Sequence, residues 1–334
     1  MAGIIGIEYV LPECVLTNEE LARKYKLWSA DKIGKKTGIE SRHIAGENET
    51  AGDLGVRAAE KLIRAVGIDR SEVDFVILVT QSPDYFLPTT ACVIQDRLKL
   101  KKQAGAFDMN LGCSGYVYGL AVAKGLVDSG IANHVLLITA ETYSKYINEN
   151  DRSTRTVFGD GAAATLIGKA GMRIGEFDLG TDGGGRDLLQ VPAGGARLPK
   201  SEQTCIVFED EGNMRSQEQL YMDGAGIFEF VVREVPMSVD RVLAKARITR
   251  EEINLYVFHQ ANKFMLDFLQ RKMRIDRDKF FVDFSDIGNT VCASIPIALK
   301  RAMESGVIQK KQAILLCGFG VGLSWGSTII HTEE

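Results

Sequence analysis

A chain of 334 residues, 45% hydrophobic and 25% charged, has the composition of a soluble globular protein with ample core, divided into one or two domains. A formal net charge of -4 and a pI near 5.8 exclude nucleic acid as a main partner, because contact with a phosphate backbone demands a basic surface. The cysteines at 14, 92, 113, 205, 292 and 317 form no C-x-x-C and no metal-like grouping with the four histidines, and no apolar run approaches the ~20 residues that span a bilayer; the expectation is a reduced, cytoplasmic protein with no metal site and no membrane segment.

Residues 3–10 read as a strand, and Thr17 or Asn18 caps the helix TNEELARKYKL, with Glu19 and Glu20 in its first turn. The polar, basic stretch KIGKKTGIESRHIAGENET reads as a solvated loop or as an anion-contacting face. A helix over AGDLGVRAAEKLIRAV stops at Gly67, VDFVILVTQS is a strand apolar on both faces, and TTACVIQDRLKL is helical. Residues 106–111 read as a short buried strand, and after Cys113 a helix holding Val117, Leu120, Ala121, Ala123 and Val127 is apolar over most of its surface. HVLLITAE and VFGDGAAATLIG follow as strands. This alternation implies an α/β fold with a mostly parallel sheet covered on both sides.

Residues 179–199, dense in glycine and holding Pro192 and Pro199, read as a connection between halves or as a wall beside a substrate. Beyond them come the helix FEFVVREVPMSVDRVLAKA, a strand ending at His259, the helix KFMLDFLQRKMRI, the segment FFVDF, the loop SDIGNT, the helix SIPIALKRAMESG and the strands AILLCGFG and SWGSTIIH. The order of elements repeats, which divides the chain into halves at 1–175 and 176–334.

Cys113 sits at a strand-to-helix junction between Gly112 and Gly115, where helix N-terminal amides favour a thiolate; it is a nucleophile or else a core cysteine. His259 closes a strand at the carboxyl end, where α/β sheets present groups to ligands, and Asn289 lies in a turn between strand and helix. Either is an ordinary structural residue when taken alone. Together the three supply a nucleophile, a ring N–H and an amide N–H, the set that acyl transfer with oxyanion stabilisation requires. GFGVG is a bulged strand or the source of a backbone amide aimed at an oxyanion.

NLGCSGYVYGL, VFGDGAAA, TDGGGRDLLQVPAGGAR, VFHQAN, DIGNT and GFGVGLSWGS, in this order, resemble the ketoacyl-acyl carrier protein synthase III family of the thiolase superfamily. The resemblance implies a thiolase-like five-layered αβαβα fold built from two similar halves, a homodimer, and a catalytic Cys113, His259 and Asn289. It also implies oxyanion amides at Cys113 and Val321 and substrate contacts at Thr37, Lys36, Arg152 and Phe319. No cofactor is implied beyond the substrates, an acyl thioester on coenzyme A or acyl carrier protein and malonyl-acyl carrier protein. Phe86 or Leu87 would border the acyl pocket of the other subunit.

The chain departs from the family where the thioester handle binds: the usual Trp position is Lys32, the usual Arg position is Lys36, and a position often basic is Phe264. An acidic carrier protein calls for a local basic patch, which Lys263, Arg271, Lys272 and Arg274 supply. Three other readings compete: a side-pathway ketosynthase or acyltransferase with an unusual donor, a noncatalytic carrier-protein-binding module, and a papain-like peptidase. The intact Cys-His-Asn set opposes the second, and the cysteine motif opposes the third.

Overall fold

The computed structural model describes residues 1–26 and 28–333. Ten of its strands form one sheet: β1 (Gly3–Val10), β2 (Phe75–Val79), β3 (Gly105–Met109), β4 (Val135–Glu141), β5 (Gly161–Gly168), β6 (Met172–Thr181), β7 (Ile253–Phe258), β8 (Phe280–Phe281), β9 (Ala313–Gly320) and β10 (Ser324–His331). The spatial order is β8-β7-β9-β10-β6-β1-β5-β4-β2-β3. The first five strands lie in the order 3-2-4-5-1, and the second five repeat that order. The sense of pairing repeats too. β3, β2 and β4 run parallel, as do β8, β7 and β9, whereas β4-β5-β1 and β9-β10-β6 are antiparallel. The two arrays meet where Gly3 and Ile4 pair with Arg173 and Met172.

The sheet is therefore mixed rather than mostly parallel. Alternation of strands and helices identifies only the crossover units: β10 returns antiparallel through residues 321–323, and β5 through residues 142–160, which hold only a 3-10 turn (Tyr143–Tyr146) and the short helix Arg152–Arg155. β3 is likewise an edge strand with every residue half-buried, not a buried one.

The helices are α1 (Asn18–Tyr25), α2 (Ala30–Thr37), α3 (Ala51–Val66), α4 (Thr90–Arg97), α5 (Gly115–Asp128), α6 (Arg152–Arg155), α7 (Gly224–Ala246), α8 (Lys263–Lys272) and α9 (Ser294–Glu304). Local chemistry accounts for several boundaries. Thr17 and Glu20 form a capping box on α1, Thr50 and Asp53 form one on α3, and α3 ends at Gly67 with φ of 74°. α3 and α4 cover the outer face of the first array, and α7 covers the outer face of the second. α5 and α9 lie between the arrays, each touching strands of both. Their shared core holds Tyr116, Val117, Leu120 and Ala123 of α5 against Ile295, Ala298, Leu299 and Ala302 of α9. These five layers are the thiolase architecture.

The stretch read as a solvated loop is in fact α2 followed by a short strand, Ser41–Ile44. Ser29 caps α2, Asp31 sits in its first turn, Lys35 and Lys36 in its last, and Gly38 closes it in the left-handed region at φ 76°. Only Ile33 and Thr37, four residues apart, are buried, so the amphipathic stripe is too thin to read through the surrounding charge.

Candidate active site

Equivalent positions of the two arrays converge. Cys113 follows β3 and precedes α5; Asn289 follows β8 and precedes α9; His259 follows β7; and Val321 follows β9. All four stand beyond the carboxyl ends of strands, where an α/β sheet exposes backbone to a ligand.

β9 ties them together. A Cβ on Gly318 would stand 2.7 Å from the Cys113 carbonyl oxygen and 2.8 Å from the Ser114 Cα, and one on Gly320 would stand 3.0 Å from the thiol sulfur. Bare glycine backbone thus slides against the nucleophile, and the amides of Cys113 and Val321 both donate toward Sγ. Ser324 Oγ donates to the Val321 carbonyl at 2.8 Å and shares a 2.7 Å hydrogen bond with Ser114 Oγ, which fixes the conformation of Val321. On the same strand the Cys317 carbonyl accepts from the His259 backbone amide at 2.8 Å, and the Phe319 ring meets the imidazole edge-on, centroids 5.5 Å apart. Phe319 is as deeply buried as Cys113 and His259 and packs edge-on against the His259 ring.

Asn289 performs both of the tasks its position suggests. Its Oδ1 accepts from the Val291 amide at 2.9 Å, closing a turn, while its Nδ2 lies 3.4 Å from His259 Nε2. Its backbone is sewn to the segment after α6: the Asn289 amide donates to Val157 O and the Gly159 amide donates to Asn289 O. Ser294, in the first turn of α9, lies 2.7 Å from His259 Nδ1. When this hydroxyl donates to Nδ1, the ring hydrogen resides on Nε2, and two N–H donors converge on one place.

Burial decides the charge state. It pushes the Cys113 thiol up to about 12, with Glu141 adding in the same direction, while the two amides pull back without prevailing. This reverses the expectation of a resting thiolate, because the helix terminus acts on a group that is almost wholly removed from water. Desolvation alone drives His259 down to about 3, so its imidazole is neutral at any physiological pH. Glu141, which closes β4, is pushed up to about 7 by burial, although Ser82 Oγ, the Gln81 amide and the Cys292 thiol donate to it. Neither Cys113 nor His259 carries a full charge.

Thr37, Lys36 and Arg152 gather elsewhere, at or beside a cavity of about 550 Å³ lined by Trp28, Lys36, Thr37, Ser153, Met222 and Phe264 among others. The Thr37 hydroxyl is engaged at the end of α2, donating to Ile33 O and accepting from the Ile39 amide. The Arg152 guanidinium donates to Gly212 O at 2.5 Å. Lys36 Nζ stands 4.5 Å above the Trp28 ring and Lys32 Nζ 5.8 Å from it. Trp28 is a residue the sequence analysis does not single out; its place one helical turn before Lys32 and two before Lys36 is the signal that points to it. Phe264 is 59% exposed and packs on Phe228 at 5.2 Å. Lys263, Arg271, Lys272 and Arg274 are all exposed on or just after α8.

A thiolase fold that buries a cysteine against two amides, beside a neutral histidine and an asparagine, defines a condensing acyltransferase. Family models described as 3-oxoacyl-[acyl-carrier-protein (ACP)] synthase III and its C-terminal part match residues 107–183 and 243–332. The beta-ketoacyl-[acyl-carrier-protein] synthase III of Clostridioides difficile is 39% identical, with 98% of each chain covered, and that of Caldanaerobacter subterraneus is 37% identical over 100% of this chain and 98% of the relative. A crystal structure titled 3-oxoacyl-(acyl-carrier-protein) synthase III superposes with a TM-score of 0.97 at 50% identity, covering 99% of both chains. The chain belongs to the 3-oxoacyl-[acyl-carrier-protein] synthase III family.

Glu141 generates a pH prediction. A carboxyl whose folded pKa of about 7 exceeds its ordinary 4.5 holds its proton more tightly in the native state, so its contribution to stability is complete below 4.5 and is lost as pH rises through 7. Melting temperatures of wild type and Glu141→Gln, measured from pH 4.5 to 8, are expected to diverge in favour of the variant as pH rises. A constant difference across that range would contradict the raised pKa.

Proposed function

We propose that this protein loads an acyl group from a thioester onto Cys113 and condenses it with malonyl-acyl carrier protein, as a 3-oxoacyl-[acyl-carrier-protein] synthase III in fatty acid biosynthesis. The observation that carries the reading is the Cys113 thiol held under two backbone amides beside a neutral His259 and Asn289. In the first stage the sulfur attacks the thioester carbonyl, whose oxygen takes up negative charge beneath the Cys113 and Val321 amides. The C–S bond to the donor breaks, and the proton of the thiol leaves with the departing thiolate. In the second stage malonyl thioester loses carbon dioxide. The enolate oxygen accepts from His259 Nε2–H and Asn289 Nδ2–H, and the carbanion attacks the acyl-Cys113 carbonyl. Cys113 leaves as thiolate and recovers a proton.

A neutral imidazole suits this role. Imidazolium would present a charge for which the site has no carboxylate partner, and burial already suppresses it. Thr37, Lys36 and Arg152, with Trp28, would border the thioester handle, on coenzyme A or on carrier protein, with no cofactor besides the substrates. A second reading, a side-pathway condensing enzyme with an unusual donor, is favoured by Lys32 and Phe264 at positions where the family resemblance implies other residues. The proposed setting is the cytoplasm. The repeated strand order supports the division into two similar halves at 1–175 and 176–334, although that boundary falls inside β6, the first strand of the second array.

The division of labour is testable by intact-mass detection of acyl-Cys113 alongside carbon dioxide release from malonyl-acyl carrier protein. Cys113→Ser is expected to abolish acylation, since a serine without a general base is a far weaker nucleophile. His259→Ala and Asn289→Ala are expected to retain acylation and to lose decarboxylation by on the order of 100-fold or more. Loss of acylation alone in both would reverse these assignments.

The carrier protein, an acidic partner, would dock on Lys263, Arg271, Lys272 and Arg274 around α8. Charge reversal of Arg271 and Lys272 to Glu is expected to raise the KM for malonyl-acyl carrier protein and flatten its salt response, while a small malonyl thioester reacts as before. An equal loss with both substrates would place the damage in the pocket.

The enzyme would act as a homodimer. The unpaired edge of β3 and the exposed Tyr85, Phe86 and Leu87, at 59%, 89% and 83%, support this, because such an edge and such side chains call for cover. Light scattering is expected to return twice the 36.6 kDa chain mass at micromolar concentration, and a monomer would refute it.

A further inference from the structure

A second cavity, of about 490 Å³, opens beside the nucleophile, with Gln81, Tyr143, Tyr146, Leu189, Leu220 and Val321 in its wall. Val321 is the residue whose amide serves the Cys113 thiol. Gln81 lies over Gly112, the residue before Cys113, so closely that a Cβ there would meet its Oε1 at 2.6 Å. An acyl group carried on Cys113 has this cavity within reach.

The wall nearest the sulfur is polar. Tyr143, 4% exposed and packed on Phe158 at 5.2 Å, donates its hydroxyl to Gln81 Oε1 at 3.3 Å, and the Tyr146 hydroxyl donates to the Gln81 carbonyl at 3.2 Å. These contacts hold the Gln81 side chain in place and occupy its oxygen. The Gln81 Nε2 group has no hydrogen-bond partner among the described residues and is not sealed from solvent, and Gln81 lines the cavity. A saturated hydrocarbon chain drawn over it would strip its water and return nothing.

Charges at the rim are already engaged. Lys145 Nζ donates to the carbonyls of Gly46 and Glu47, and Lys200 pairs at 3.3 Å with Glu218, which also accepts from Thr204. A terminal carboxylate would meet Lys200 already paired with Glu218 and Lys145 tethered at the rim by the two carbonyls. The group that fits is a neutral oxygen.

Resting on the function proposed above, we propose that the acyl chain loaded onto Cys113 is a short one bearing a hydroxyl or keto oxygen, which accepts a hydrogen bond from Gln81 Nε2. The loading step keeps its balance: the Cys113 S–C bond forms, the donor's S–C bond breaks, the thiol proton leaves with the donor thiol, and the substituent oxygen is unchanged.

The test measures acylation of Cys113 by intact mass with donors matched in length: butyryl, 3-hydroxybutyryl and acetoacetyl, then hexanoyl and 3-hydroxyhexanoyl, each on coenzyme A and on acyl carrier protein. The oxygenated member of each set is expected to acylate faster by about tenfold or more, the effect of one hydrogen bond to an otherwise unpaired donor. Gln81→Met, which keeps length and removes the amide, is expected to erase or invert that ratio. Equal rates in the wild-type enzyme, or preference for the unsubstituted chain, would overturn the inference while leaving the condensing function intact. Failure of every donor to acylate Cys113 would instead overturn that function, and the inference with it. The wild-type ratio decides even where the variant does not fold.

Discussion

The contact on which the site depends is the passage of β9 across Cys113. Gly318 and Gly320 bring backbone to within the space a methyl group would need, and only that approach lets the Val321 amide and the Cys113 amide share one sulfur. From the same strand the Cys317 carbonyl holds the His259 backbone and Phe319 holds its ring. One element thus sets the distance between the nucleophile of the first array and the donors of the second. A side chain at Gly318 would force backbone against backbone, and a close-packed interior has no slack to absorb that shift.

Burial then sets the chemistry. Cys113, His259 and Glu141 are nearly excluded from water, and each is displaced toward its neutral form. A thiolate-imidazolium pair held permanently here would carry a large desolvation cost, and a resting site without charge avoids it. Negative charge forms only when a substrate carbonyl or enolate supplies the oxygen, at places where N–H donors already stand. Such donors need no reorganisation as the charge develops, which is why they act on the transition state more than on the bound thioester.

Much of this was legible in the chain. The cap at Thr17, the stop at Gly67 and the apolar strands were readable locally, because those signals lie within a few residues of the structure they determine. The trio Cys113, His259 and Asn289 was readable because each follows a strand at its carboxyl end. What failed shares one cause. The sheet's antiparallel returns, the edge position of β3 and the raised pKa of Cys113 are set by neighbours far away in sequence. Local pattern records which face is apolar, and it carries no measure of depth. The α2 stripe shows the complementary failure: two buried residues among lysines give too weak a periodicity to separate helix from loop.

The repeated strand order explains why one site serves two substrates. α5 and α9 occupy equivalent places, each following the third strand of its array, and they pack on one another in the central layer. Their N-termini deliver Cys113 and Asn289 to the same spot from opposite arrays. The second strands correspond as well: β2 runs into Thr80 and Gln81, and β7 runs into His259 and Gln260. On the function proposed, the first array would supply the nucleophile and the Gln81 wall of the acyl cavity, and the second the donors for decarboxylation. Duplication of one strand order gives two carboxyl ends facing one cavity system, and divergence of their loops lets acyl loading and carbanion formation use different residues at a shared sulfur.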